Sequence, residues 1–240
     1  SKIDNAMETY VAPNFDKTFS LQEFCERFRN YAASELNLYY KPEIIRLFVS
    51  SFASNRLIIL QGISGTGKTS LAYAFGKMIK NEAIIASVQP SWRDSSELFG
   101  YFNEFTKRFN ETEVLSKMYE ASYTDNVYIT VLDEMNISRV EYYFAQMLSI
   151  LELPSKSQWV ISLVPSAWES DPKHLKDGMF QIPDNMWYVG TINNDDSTFM
   201  ITDKVYDRAM PIEIDDKCDK FDAPKTNAME LSSTYLQELF

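Results

Sequence analysis

Three short stretches of the chain carry side chains whose types and spacing can do chemistry together. The first runs from Gly62 to Thr69 and fits G-x-x-x-x-G-K-[ST], placed between an apolar run and a helical pattern. Glycines at 62, 65 and 67 allow a tight turn whose backbone N–H groups point at phosphate oxygens, and the helix that follows adds the positive end of its dipole. Lys68 is suited to neutralise terminal phosphates and the Thr69 hydroxyl to ligate Mg²⁺, with Ser64, Thr66 and Ser70 completing the loop. A glycine-rich strand-to-helix turn without a ligand is the plain alternative.

The second stretch is an apolar run from Val127 that ends in Asp133 and Glu134, so both carboxylates emerge at a strand's C-terminal edge, where α/β sheets bind ligands. There Asp133 would hold Mg²⁺ through water and Glu134 would polarise an attacking water as general base. An acidic pair in this position also suits a solvated helix N-terminus. The third is an apolar run from Met186 that ends in Asn193, Asn194, Asp195 and Asp196. A neutral amide at Asn193 can orient water without competing for the metal, although Asn and Asp are common turn residues as well.

These groups need a scaffold that brings three strand ends to one edge. From position 57 short apolar runs alternate with helical stretches, predicting strands at 57–61, 83–88, 128–132, 187–192 and 211–214 and helices at 68–80, 111–122, 140–151 and 203–208. That alternation predicts an α/β fold with a five-stranded parallel sheet flanked by helices. Upstream, residues 1–17 lack periodicity and read as a loosely held leader. Ser20 and Glu23 form a capping box for a helix with Leu21, Phe24, Phe28 and Tyr31 on one face, and Pro42 opens a second helix burying Ile45, Phe48 and Phe52. The division expected is 1–54 for leader and N-terminal helices, 55–215 for the core, and 216–240 for a partial C-terminal lid. Residues 156–183 are too long for a connection, and the alternation at 159–164 predicts an inserted hairpin.

Composition fits such a core. The 240 residues are 45% hydrophobic and 24% charged, enough for one substantial core and too ordered in composition for disorder. A formal net charge of -11 disfavours gripping nucleic acid through the whole surface. Cys25 and Cys218 are too few for a disulfide framework or a cysteine-built metal site, and both read as reduced thiols. Neither a signal peptide nor a membrane span is legible, so a cytoplasmic location is expected. A start at Ser1 and a stop within a helical pattern at Phe240 suggest a piece of a longer protein. His174, the only histidine, reads as an exposed loop residue.

The three stretches in this order, with the text around them, resemble the AAA+ superfamily of P-loop nucleoside triphosphatases, and within it the McrB-like branch that drives modification-dependent DNA restriction. The segments VQPSWRDSSELFGYFN, LDEMNISRVEYYFAQMLSILE and GTINNDDSTFMITDKVYDRA carry the likeness, which runs from about Leu57 to Ile214. The resemblance implies a nucleotide-hydrolysing motor core in which Asn193 is the sensor-1 residue. It implies that Arg208 is an arginine finger acting on a neighbouring subunit's nucleotide, with Arg139 a weaker intersubunit candidate. It further implies a homo-oligomeric ring, a nuclease subunit as partner, and DNA reached through other domains or subunits.

Two departures qualify what the resemblance implies. Where GTP-using members show Met-Asn-x-x-Asp-Arg, this chain reads Ile192, Asn193, Asn194, Asp195, Asp196, Ser197, so ATP is the expected nucleotide and GTP the alternative, with Mg²⁺ in either case. Members also usually carry a lid arginine, whereas Arg208 is the last arginine here, so the expected lid is truncated or degenerate. That leaves open a nucleotide-dependent assembly switch with little hydrolysis. A P-loop kinase fits less well, because the acidic pair followed by an amide suits water activation. Around Ser91, Trp92 and Arg93, with Tyr101 and Phe102, a pore-facing surface and ordinary packing are both open.

Overall fold

The computed structural model describes residues 1–194 and 198–240. Five parallel strands, β1 (Leu57–Gly62), β2 (Ile84–Ser87), β5 (Tyr128–Asp133), β9 (Met186–Asn193) and β10 (Ala209–Glu213), form one sheet in the order β10-β1-β9-β5-β2. All five strands expected from the apolar runs are there. Successive residues of β1 face opposite sides: Ile58 and Leu60 enter one core, Leu57 and Ile59 the other. A strand buried on both faces reads as an unbroken apolar run, which is what residues 57–60 are.

One face is covered by α2 (Leu21–Leu36), α3 (Pro42–Ser54) and α4 (Lys68–Met78). The Ser20 side chain accepts from Glu23 N and the Glu23 carboxylate accepts from Ser20 N, so both halves of the expected capping box form. Phe24, Phe28, Phe48 and Phe52 surround Phe75 of α4 with ring centroids 5.0–6.1 Å apart, mostly edge to face. Phe52 stacks on Trp187 of β9 at 5.3 Å, and the Arg56 guanidinium lies 4.1 Å from the Trp187 ring. The Arg56 side chain thereby closes the strands' N-terminal edge, donating to Gln237 Oε1 at 3.3 Å.

The other face is covered by α5 (Ser96–Phe99), α6 (Glu113–Ala121), α7 (Val140–Tyr143) and α8 (Ala145–Leu151). The helix expected at 140–151 is broken at Phe144, whose φ of -109° departs from helical geometry while its ring stays fully buried against Tyr188. The helix expected from 111 starts at Glu113, because Thr112 serves as N-cap and Glu111 belongs to a strand. That strand, β4 (Arg108–Glu111), pairs with β3 (Gly100–Asn103) in a hairpin that the periodicity did not reveal. The insertion at 156–183 contains β6 (Val160–Ser162), β7 (Leu175–Lys176) and β8 (Met179–Gln181) in the order β6-β8-β7, so the expected hairpin carries a third strand. The last helix before β10 is α9 (Asp203–Tyr206).

Three expectations need correction. Residues 1–17 are not uniformly loose: α1 (Lys2–Met7) packs on α6, anchored by buried Asp4, which accepts from Tyr119 Oη at 2.5 Å and from Tyr123 Oη. Residues 216–240 do not form a lid. From β10 the chain turns back across α2 and α4, with Arg27 donating to Asn227 O at 3.1 Å and Met229 N to Met78 O at 2.8 Å. It ends in α10 (Ser233–Glu238) at the N-terminal edge of the sheet, where Asn126 bridges Ser232. Apolar Met229, Leu231 and Leu236 are buried in the α2–α4 core, which draws the segment there. His174 is half-buried rather than exposed: its ring stacks on Tyr123 at 4.0 Å and its Nδ1 lies 2.7 Å from Ser122 Oγ.

Among the described residues no helix is long and apolar enough to cross a membrane, and Cys25 and Cys218 are both free thiols.

Candidate functional site

Parallel register brings the chemistry-bearing strand ends to one edge. β9 lies between β1 and β5, with Gly62 opposite Asn193 and Leu132 opposite Gly190, so the amide sits between the glycine-rich loop and the acidic pair. Asn194 N donates to Gly62 O at 3.3 Å, tying this strand end to the loop. Asp195, Asp196 and Ser197, the continuation of the Asn-rich stretch, lie outside the described residues.

Gly62 leaves β1 at φ 149°, and a Cβ there would stand 2.3 Å from the Ile214 carbonyl oxygen, so only glycine lets the loop start this close to β10. At the loop's far end Gly67 takes φ 89° and is the N-cap of α4, its carbonyl accepting Leu71 N at 3.0 Å. Ser64 and Gly65 are exposed at the tip, Thr66 is buried, and Thr66 Oγ1 donates to Ile63 O at 3.0 Å. Ser70, in the first turn of α4, is half-buried.

Lys68 is 6% exposed, and its ammonium curls into the loop, donating to Ile63 O at 2.7 Å and lying 3.4 Å from Gly62 O. Burial pulls its pKa down, and the nearby Asp133 carboxylate pushes partly back. The loop carbonyls here accept from a charge that a phosphate could take over.

The link between loop and acidic strand is direct: Thr69 Oγ1 donates to Asp133 Oδ1 at 2.7 Å. The same oxygen accepts from Thr191 Oγ1 at 3.0 Å, and Thr191 Oγ1 accepts from Glu134 N at 2.9 Å. Thr191 is 3% exposed and fixes both acidic residues from β9. In the sequence its only signal is a hydroxyl within the apolar run, two residues before Asn193, which does not mark it as part of a site. Glu134 is exposed and holds φ 52°, a left-handed conformation uncommon for a residue with a Cβ. Met135 N donates to Thr191 O at 2.9 Å, and Tyr143 Oη to Met135 O at 2.6 Å, so this strained corner is held from both sides.

Behind it, Asn136 is 5% exposed and its amide donates to Thr198 Oγ1 and Phe199 O, both at 3.0 Å, joining the acidic corner to the segment after Asn193. Arg139 is exposed with its guanidinium 4.7 Å from the Phe199 ring. Trp92 packs edge-on against Tyr143 at 5.2 Å and Phe102 lies 5.7 Å from Trp168, whereas Tyr101 is 54% exposed. Arg208 stands apart from this edge. It precedes the first residue of β10, at the opposite end of the sheet, pairs with Glu152, and donates to Lys204 O.

The donor set suits Mg²⁺: a threonine hydroxyl and one carboxylate, both hard oxygens and already adjacent, are the kind of site that ion shares with phosphates and water. Among the described residues no group of three or more His, Cys, Asp or Glu side chains could hold a metal on its own.

No protein-family model matches this chain. No curated protein matches it either. Among solved structures it is similar to a candidate ATPase from Cytophaga hutchinsonii, with a TM-score of 0.53 and 13% identity over 91% of this chain. The chain spans 64% of the length of that protein. At this identity the likeness is one of fold alone: an α/β architecture with, in this chain, a five-stranded parallel sheet between helical layers.

Proposed function

We propose that this chain is a Mg²⁺-dependent nucleoside triphosphatase core of the AAA+ P-loop type, with ATP as its nucleotide and GTP as the alternative. The observation that carries the reading is the 2.7 Å bond from Thr69 to Asp133, which joins the glycine-rich loop and the acidic strand end into one site. In this reading the loop from Gly62 to Ser70 cradles the phosphates, Lys68 moves from its carbonyls to the terminal phosphates, and Thr69 and Asp133 would hold the metal. Bound Mg²⁺ would supply charge neutralisation on the phosphate oxygens. Glu134, exposed at the corner, takes the proton of the attacking water, and Asn193 orients that water from the strand between.

The wider assignment rests on the same site and on the segments that resemble McrB-like proteins. The core acts in a homo-oligomeric ring, working on DNA through other domains or a nuclease subunit. Arg208 serves the neighbouring subunit, a reading supported by its place at the sheet edge opposite its own loop. A second reading, nucleotide-dependent assembly with little hydrolysis, draws support from the route of residues 216–240 away from the loop.

Phosphate release by Glu134→Gln against the parent, in ATP and in GTP and with and without DNA, tests the proposal. Hydrolysis should fall at least 100-fold with nucleotide affinity within threefold, since only a group needed in the transition state is removed. Equal turnover would remove Glu134 from its role. Nucleotide-dependent oligomers with no phosphate release from the parent would favour the switch.

A further inference from the structure

The turn between α2 and α3 reaches the glycine-rich loop. Tyr40 is 6% exposed, its hydroxyl donates to Gly67 O at 3.3 Å, and its ring edge lies 3.4 Å from where a Cβ on Gly67 would stand. Gly67 O is the acceptor that starts α4, so Tyr40 bears on the peptide that orients the loop's last N–H groups. The turn is itself clamped. Arg29 Nε donates to Tyr40 O at 2.7 Å, and the Arg29 guanidinium lies 3.9 Å from the ring of Phe221, in the C-terminal segment. Tyr39 meets the same Phe221 ring edge-on at 5.4 Å, and Lys41 pairs with Asp216 at 3.6 Å. The pair is exposed and contributes little, whereas the aromatic and cation–π contacts around Phe221 fix the segment's path.

We infer that Tyr40 is a positioning residue for the phosphate-binding loop, and that residues 216–221 act as a strap which holds it there through Phe221. The C-terminal segment thus sets nucleotide affinity from outside the site, through Arg29 and the 39–41 turn. The inference rests on the reading of the loop as a nucleotide site and adds to it residues outside the loop. Tyr40 holds the end of the loop, at Gly67, in place before the triphosphate arrives, and that preorganisation appears in binding rather than in the chemical step.

The test uses the whole chain with a fluorescent ATP analogue in Mg²⁺, read as Kd, together with KM and kcat for ATP and thermal unfolding. Tyr40→Phe keeps the ring and removes the hydroxyl that bonds Gly67 O, so Kd and KM should rise roughly fivefold with kcat within twofold and the unfolding temperature close to the parent's. Phe221→Ala should move Kd in the same direction by about two- to threefold. Lys68→Ala is the control for the site itself. If Lys68→Ala abolishes binding while Tyr40→Phe and Phe221→Ala bind like the parent, the positioning role is overturned and the site stands. If Lys68→Ala binds like the parent, the nucleotide site falls and the inference with it. A fall in kcat at constant KM for Tyr40→Phe also overturns it.

Discussion

Asp133 has two jobs that substitution can separate. Its Oδ1 accepts from Thr69 and Thr191, holding three elements together, and in the proposed chemistry its charge holds Mg²⁺. Asp133→Asn keeps an oxygen that can accept both hydroxyls and loses only the charge, so stability should change by less than about 1 kcal/mol. Asp133→Ala removes both bonds and leaves the buried Thr191 hydroxyl without its acceptor, a cost of about 2 kcal/mol, or an unfolding temperature about 4–8 °C lower in a chain of this size. Saturating Mg²⁺ and ATP should stabilise the parent by about 2.7 kcal/mol at a ligand concentration 100 times Kd. Both variants should lose most of that increment. The assay is thermal unfolding with nucleotide alone, Mg²⁺ alone, and both. An Asp133→Asn protein that keeps the parent's Mg²⁺-dependent increment would refute the metal role. An Asp133→Ala protein as stable as the parent without ligand would refute the structural one.

Gly62→Ala puts a methyl 2.3 Å from the Ile214 carbonyl oxygen, so β1 and β10 must part at the loop. Urea denaturation should show a loss of about 2–3 kcal/mol, and an unchanged midpoint would mean that the approach of the two strands is looser than described. Asp4 is held well below the usual carboxylate range: burial opposes this, but hydrogen bonds from Tyr119 and Tyr123 outweigh it. A depressed folded-state pKa stabilises fully above the ordinary Asp value of about 3.9, and that contribution is lost only gradually as pH falls from there through the folded-state value. Melts between pH 7 and 2 should therefore show Asp4→Asn less stable than the parent at neutral pH, with the gap starting to narrow only below about pH 4. A gap that does not narrow between about pH 4 and 2 would assign the effect to packing.

What the sequence disclosed follows from what its pattern can encode. Strands buried on both faces leave apolar runs, and the five runs at 57–61, 83–88, 128–132, 187–192 and 211–214 needed no partner to be seen. The loop and the acidic pair were legible because backbone geometry and charge demand those residue types locally. The β3–β4 hairpin was not: its turn uses Lys107 at φ 55° where a glycine or asparagine would have marked it. Asp4 gave no signal because its partners, Tyr119 and Tyr123, are more than a hundred residues away. The same holds for Thr191 and Tyr40, whose types are ordinary and whose importance lies in what they touch. The tail misled because Met229, Leu231 and Leu236 are apolar in any docking arrangement, and periodicity cannot say which face they will join.

The length of β10 has a consequence for how such a molecule behaves in solution. Its five residues put roughly 16 Å of strand between Arg208 and the edge that carries the loop, more than one side chain can span. If Arg208 acts on a nucleotide, as proposed above, that nucleotide lies on another copy of the chain. In that reading a lone copy cannot bring its own Arg208 to its own loop, and turnover per molecule should rise with protein concentration.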